Sequence, residues 1–278
     1  MKQIIHDLCP PLIKRWYQRC STGTCWSGNF ESWEAAAAKC SGYQQDIILE
    51  RVKQAALRVQ AGEVAGERDS VVFAEPEYSW FLLSTLLYVA AVNKGALRVL
   101  DFGGSLASTY LQHRKWFDSL PEVRWCVVEQ KHFVDCGREY FENDRLRFYP
   151  SIAACLAVEH PDAALFSSVL PYLPDPWGVL NETVGAGMNH LIIDRTGFTR
   201  DNHERITIQR VSPDIYDAVY PCRFFSMDSF LNHLSEHYEL ITTAPARDRP
   251  TLFADFLGLF LSRKKIWLGK VSQQDKIL

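Results

Sequence analysis

Leu97-Arg98-Val99-Leu100-Asp101-Phe102-Gly103-Gly104-Ser105-Leu106 is the stretch whose reading decides the fold. Val99 and Leu100 close an apolar run, Asp101 ends it with a carboxylate, and Gly103-Gly104 permits a tight turn. Ser105 is a residue type that starts helices, so the expected succession is strand, glycine loop and helix. In open α/β sheets such a corner, at the carboxyl end of a strand, is where a nucleoside-bearing cofactor sits. Paired glycines also occur in ordinary turns, so the corner needs companions elsewhere in the chain.

Those companions lie downstream. Leu106, Tyr110, Phe117 and Leu120 share one helical face that stops near Pro121, and Val123 to Glu129 reads as a second strand ending in a carboxylate. Phe133, Cys136 and Tyr140 form a short helical stripe, Leu146 to Tyr149 a third strand, and Ser151 to Val158 another helix. Ala163 to Leu170 is the fourth strand, and Asp175-Pro176 starts a helix in the order of cap and first-turn proline. Trp177, Leu180 and Val184 give that helix its inner face, and Gly187 its stop. His190 to Asp194 is the fifth strand and the third to end in an acid. Strands separated by helices of this length imply parallel βαβ units.

After Asp194 the alternation lapses for about 30 residues, longer than an ordinary connection, which marks a functional insertion on the substrate side, residues 196–225. It holds His203-Glu204-Arg205, a short strand from Ile206 to Val211, and Tyr216, Tyr220, Cys222 and Arg223. A helix from Met227 to His237 and a hairpin of Tyr238 to Thr243 with Leu252 to Leu261 complete the sheet. The fold class is therefore α/β, a Rossmann-like, mostly parallel sheet with a C-terminal antiparallel hairpin and an N-terminal helical extension. Residues 1–76 are read as that extension or lid, 77–262 as the cofactor-binding and catalytic domain, and 263–278 as an exposed tail. Within the extension, Ser32 caps a helix through Ala38, Asp46 to Gln60 repeats apolar residues at helical spacing, and Gly62 to Asp69 reads as a polar connection.

Composition narrows the partners. A chain of 278 residues with 47% hydrophobic residues can bury a full core, and its net charge of -3 gives no footprint for nucleic acid. The eight cysteines show no CxxC pair and no histidine spacing suited to zinc, so no metal site is expected and a reducing, cytoplasmic context is. The apolar runs Trp80 to Val92 and Leu252 to Leu261 fall short of the roughly 18 residues that span a bilayer. Lys14, Arg15 and Arg19 beside Trp16 and Tyr17 suit at most weak peripheral contact with a membrane. Composition leaves the oligomeric state open.

The chemistry of the corner separates cofactors. A dinucleotide asks for G-x-G-x-x-G, and Gly103-Gly104-Ser105-Leu106-Ala107-Ser108 has another spacing. S-adenosylmethionine carries no phosphate; it needs a tight loop under the methionine and ribose, a carboxylate on the second strand for the ribose hydroxyls, and polar groups on the first and fourth strands. Asp101, Glu129 and Ser167-Ser168 stand in those places.

On Val99 to Tyr110, Val127 to Gln130, Ser167 to Pro176, Ile193 to Phe198, Ile215 to Cys222 and Glu67 to Ser70, the chain resembles the class I S-adenosyl-L-methionine-dependent methyltransferases. It resembles more closely an uncharacterised bacterial methyltransferase family with a VLDFGGSLG-type motif, whose pattern has glycine where Ala107 stands. The resemblance implies that Asp101, Gly103, Gly104 and Ser105 line the methionine and ribose, that Glu129 holds the ribose hydroxyls, and that Gln130 lies near the adenine. It further implies that Ser168, Val169, Leu170 and Tyr172 border the methionine and the donated methyl. Members of that family look like parts of surface-glycan pathways, which points to a small-molecule or glycan-linked acceptor.

Methyl transfer from a sulfonium is an in-line displacement in which positioning supplies much of the rate. A hydroxyl acceptor adds the need for a general base, for which Asp194 and His203 are the first candidates and Glu204 the next. His203 also reads as an exposed loop histidine, since single histidines on loops are common. Arg195 is either half of an internal ion pair with Asp194 or a substrate clamp, and Tyr216, Tyr220 and Arg223 are candidate substrate contacts. Two other readings fit the same fold: a nucleoside-binding or assembly module without turnover, and an enzyme using NAD or a nucleotide-sugar.

Overall fold

The computed structural model describes residues 24–40, 45–68, 71–75, 77–211 and 218–264. In chain order the elements are β1 (Cys25–Phe30), α1 (Trp33–Ala37), α2 (Gln45–Ala61), β2 (Gly66–Arg68), β3 (Val71–Phe73), α3 (Trp80–Val92), β4 (Ala96–Phe102) and α4 (Ser108–Phe117). Then come β5 (Glu122–Val128), α5 (Lys131–Tyr140), β6 (Leu146–Tyr149), α6 (Ile152–Leu156), β7 (Ala163–Ser167), a 3₁₀ turn (Leu170–Tyr172) and α7 (Pro176–Gly185). The chain continues through β8 (His190–Thr199), β9 (Arg205–Arg210), β10 (Val219–Phe224), α8 (Met227–Leu234), β11 (Tyr238–Pro245) and β12 (Ala254–Arg263).

Seven strands form one sheet in the order β11-β12-β8-β7-β4-β5-β6. β8, β7, β4, β5 and β6 are parallel neighbours, whereas β12 runs antiparallel to both β8 and β11. Counted from β4 the order is 3-2-1-4-5-7-6, the doubly wound order with one antiparallel strand wedged between the fifth and sixth. The terminal hairpin is thus seated with its second strand inside the sheet and β11 at the edge.

The parallel strands are apolar on both faces because helices cover both. Leu97 and Val99 of β4 join one cluster with Leu86, Leu111, Trp125 and Phe133, while Leu100 joins the other with Phe166, Leu180, Phe225 and Phe230. That alternation is the period-two geometry of a strand read directly in burial.

The described part of the N-terminal extension holds strands beside its helices α1 and α2. β1 pairs antiparallel with β9, whose other neighbour is β10, so the extension and the insertion build one three-stranded sheet. A small core of Cys222, Phe224, Ala254 and Phe256 lies under it, with Trp26 and Tyr172 packed against the cluster. The polar connection is likewise structured, since β2 and β3 form a hairpin. α1 keeps the cap read from sequence, the Ser32 hydroxyl accepting from the Ala35 N–H at 3.1 Å.

Candidate functional site

β4 lies between β5 and β7, and the connections from these two neighbours depart in opposite directions along the sheet, so the carboxyl end of β4 is the switch point of the fold. The glycine loop leaves the sheet there. Gly103, Ser105 and Ala107 have φ of 70°, 54° and 67°, the left-handed region, and the Ala107 N–H closes a turn on the Gly104 carbonyl at 2.9 Å. This loop delays α4: Ser105 does not cap it, and the helix starts at Ser108 after Ala107, which makes no side-chain cap. Glycine is the residue that adopts φ near +67° without strain, so Ala107 holds a backbone conformation that side-chain-bearing residues rarely take.

Both glycines are also spatially required. A Cβ on Gly103 would lie 2.4 Å from Val169 Cγ2, and one on Gly104 would lie 2.4 Å from Asp101 Oδ2. Asp101 is buried, and the Trp125 indole N–H donates to its Oδ2 at 2.9 Å. Burial pushes the Asp101 carboxyl up to about 7, with the Trp125 hydrogen bond opposing the rise and Glu129 adding to it.

Glu129 follows β5 directly. Its Oε2 accepts from the Gln130 N–H at 2.7 Å, and the Ser105 backbone N–H also donates to the carboxylate. Burial raises its pKa and these two N–H groups lower it. The glycine loop and the second acidic strand end therefore meet, with Glu129 half-buried and Gln130 exposed at the start of α5.

On the other side of the switch point, the Ser167 hydroxyl donates to Asp194 Oδ2 at 3.0 Å and the Ser168 N–H donates to the Asp194 carbonyl at 2.9 Å. Ser168 is itself left-handed, with φ 58°. Val169 is packed against Gly103, Leu170 is fully buried with its side chain committed to the core, and Tyr172 donates its hydroxyl proton to Gln209 Oε1 at 2.9 Å.

β8 does not end at Asp194, as the sequence led one to expect. It continues to Thr199 through a bulge in which Asp194 and Arg195 together oppose Gly258, with Arg195 at φ 52°. Bulges let a strand re-aim a side chain without ending, and this one keeps a carboxylate in the middle of a buried strand. Asp194 is 3% exposed, and burial pushes its pKa up, opposed by Arg195 and Ser167.

The substrate-side assignments fare unevenly. The Arg195 fork closes on Asp248, with Nε to Oδ2 at 2.9 Å and Nη2 to Oδ1 at 3.0 Å, and its charge also lowers the pKa of the adjacent Asp194. Arg223 is buried and braced by Glu204 at 2.5 Å, by the Pro174 carbonyl at 3.3 Å and by the Trp33 ring at 5.7 Å, which commits it to joining segments of the fold. His203 is exposed in the turn between β8 and β9, with Nδ1 on the Asp201 carbonyl at 2.7 Å. The five residues of β8 beyond Asp194 alone span roughly 16 Å of strand, so the two candidate bases do not share one site. Tyr220 packs edge-on against Tyr172 at 5.2 Å, and Tyr216 lies outside the described residues.

Trp125, Gln209 and Asp248 are site neighbours that the sequence does not announce, whereas Ser167 stands where the sequence places it, at the end of β7. Trp125 and Gln209 read only as strand residues, and the Asp248 contact spans 53 positions, which no local pattern carries. Among the described residues no group of three or more His, Cys, Asp or Glu side chains is placed to hold a metal, and no helix is long and apolar enough to cross a membrane.

No protein-family model matches the chain, and no curated protein matches it. Among solved structures it is similar to the N-terminal domain of EvdMO1 in the presence of SAH and D-fucose, with a TM-score of 0.49, 13% identity, and 77% of this chain and 97% of that one covered. It is similar to magnesium protoporphyrin IX methyltransferase from Synechocystis PCC 6803 with bound SAH, with a TM-score of 0.44, 12% identity, and 95% and 99% covered. A third is the Burkholderia thailandensis 1,6-didemethyltoxoflavin-N1-methyltransferase, with a TM-score of 0.39, 14% identity, and 80% and 91% covered.

Proposed function

We propose that this chain is an S-adenosyl-L-methionine-dependent methyltransferase that methylates an oxygen of a small-molecule or glycan-linked acceptor. The observation that carries the reading is the junction of the glycine loop with Glu129, where the Ser105 N–H fixes a half-buried carboxylate one strand away from the loop. A carboxylate has lone pairs for about four donors, so Glu129 can accept from Gln130, from Ser105 and from both hydroxyls of a ribose. The loop spacing differs from the pyrophosphate pattern, and the cofactor proposed carries no phosphate.

Within this reading Gly103, Gly104 and Ser105 bed the methionine and ribose, with Asp101 as the buried brace beneath Gly104. Gln130 adjoins the adenine, and Ser168, Val169 and Tyr172 border the methionine. When bound, S-adenosylmethionine supplies an electrophilic methyl for in-line displacement. Asp194 is the group at the sheet edge suited to hold a proton from an acceptor hydroxyl, since burial makes its carboxylate more basic than usual. Tyr172 and Tyr220 form the acceptor side, at the three-stranded sheet.

Calorimetric titration of the ligand-free protein with S-adenosylhomocysteine tests the assignment. Binding is expected, with a strong loss in Glu129→Ala and in Gly103→Val, whose side chain meets Val169 and whose φ of 70° disfavours it. A folded wild type that does not bind, or binding unchanged in both variants, overturns the reading.

A further inference from the structure

A glutamine amide offers one oxygen with two lone pairs and one nitrogen with two protons. Gln209 on β9 is 6% exposed and uses both ends of its amide. Its Oε1 accepts from the Trp26 indole N–H at 2.9 Å and from the Tyr172 hydroxyl at 2.9 Å, and its Nε2 donates to the Tyr220 hydroxyl at 3.3 Å. The three partners come from β1, from the turn after β7 and from β10, segments that share no local sequence.

The turn that Gln209 grips is the one that closes on the glycine corner. Leu170, its first residue, is fixed in the core, and Tyr172, its last, is fixed by Gln209. Val169, just before it, fills the space that a Cβ on Gly103 would need. The path from the N-terminal extension to the glycine loop thus runs Trp26, Gln209, Tyr172, Val169, Gly103.

The structure assigns Gln209 as a positioning residue: through Tyr172 it sets the turn against the glycine loop, and it makes cofactor affinity depend on the sheet that the extension and the insertion share. This rests on the reading of the corner as an S-adenosylmethionine site. A brace of stability alone would lower the melting temperature and leave the affinity of the folded protein unchanged, whereas a positioning residue changes affinity through Tyr172.

The experiment is a double-mutant cycle on S-adenosylhomocysteine affinity, read by calorimetry. Gln209→Leu and Tyr172→Phe both remove the Tyr172–Gln209 hydrogen bond, so each is expected to weaken binding about threefold to tenfold, the effect of that one bond on the turn, and the double variant no further than either alone. Gln209→Glu keeps the shared acceptor oxygen and is expected to restore most of what Gln209→Leu loses. Wild-type affinity in Gln209→Leu, or losses that multiply in the double variant, overturns the assignment. If Gln209→Leu does not fold, a loss in Gln209→Glu as large as that of Tyr172→Phe overturns it. A ligand-free readout separates this idea from the cofactor reading: the Trp26 indole N–H resonance is expected to move in Tyr172→Phe, because both donors share one oxygen. If the wild type fails to bind S-adenosylhomocysteine, the methyltransferase reading falls, and an unmoved Trp26 resonance overturns the coupling on its own.

Discussion

Asp101→Asn is expected to remove a pH dependence of folding that one buried carboxyl imposes. Asp101 is 1% exposed, and burial raises its pKa to about 7 even with the Trp125 indole N–H donating to it. In the unfolded chain an aspartate titrates near 3.9, so between about 4 and about 7 the folded protein holds a proton that the unfolded chain has released. The folded state binds the extra proton, so stability falls as pH rises through this window, by about 1.4 kcal/mol per unit, and the loss is complete above the folded pKa. From about pH 5 to about pH 8 only the two units up to about 7 count, which makes the cost roughly 3 kcal/mol. Asparagine has nearly the same shape, still accepts from Trp125, and does not titrate.

The assay is urea denaturation of ligand-free wild type and variant at both pH values. Glu129 and Asp194, whose pKa values burial also raises, are present in both proteins, so the difference between the two reads Asp101 together with its coupling to Glu129. The variant is expected to gain roughly 3 kcal/mol relative to wild type on going from about pH 5 to about pH 8. A difference that stays constant between the two pH values, or that changes in the opposite direction, refutes the reasoning.

Gly104→Ala is expected to cost about 1–3 kcal/mol in denaturant unfolding, because its Cβ would meet the short, buried Asp101 side chain; an unchanged midpoint would show that the loop gives way freely. At the bulge, two substitutions should move the titration of Asp194 in opposite directions, followed by carboxyl carbon NMR. Arg195→Met removes a cation that lowers the Asp194 pKa and so raises it, whereas Asp248→Asn removes an anion that raises it and so lowers it. Shifts of the same sign would refute the electrostatic account.

The residues that announced the fold in the sequence are those whose environment is local. Parallel strands covered on both faces must be apolar throughout, so Val99-Leu100, Val127-Val128 and Ile192-Ile193 were legible as strands without partners being known. The glycine corner was legible for the same reason: a left-handed φ and a close approach are demands on one residue at a time. The cap at Ser32 was readable from its own few neighbours. What stayed hidden depends on distant partners. β1 contains Gly28 and Asn29, poor strand formers, and is held in place by β9, about 180 positions away.

Asp194 shows how the same limit acts inside the site. A carboxylate after an apolar run reads as a strand end, because an unpaired charge does not stay in a sheet interior. The structure keeps it there by three contacts invisible to local pattern: the Ser167 hydroxyl 27 positions back, the bulge opposite Gly258, and the neighbouring Arg195 anchored by Asp248 53 positions on. The acid that reads as a strand end in the sequence is therefore a strand-interior group, opposite the last residue of β7, whose proton affinity is set by its neighbours. His203, equally conspicuous in sequence, is exposed in the turn after β8, with its Nδ1 on the Asp201 carbonyl and its backbone N–H on the Asp201 carboxylate. Of the two candidate bases, burial and a β-bulge distinguish Asp194, and the opposing shifts expected from Arg195→Met and Asp248→Asn are the direct consequence of that difference.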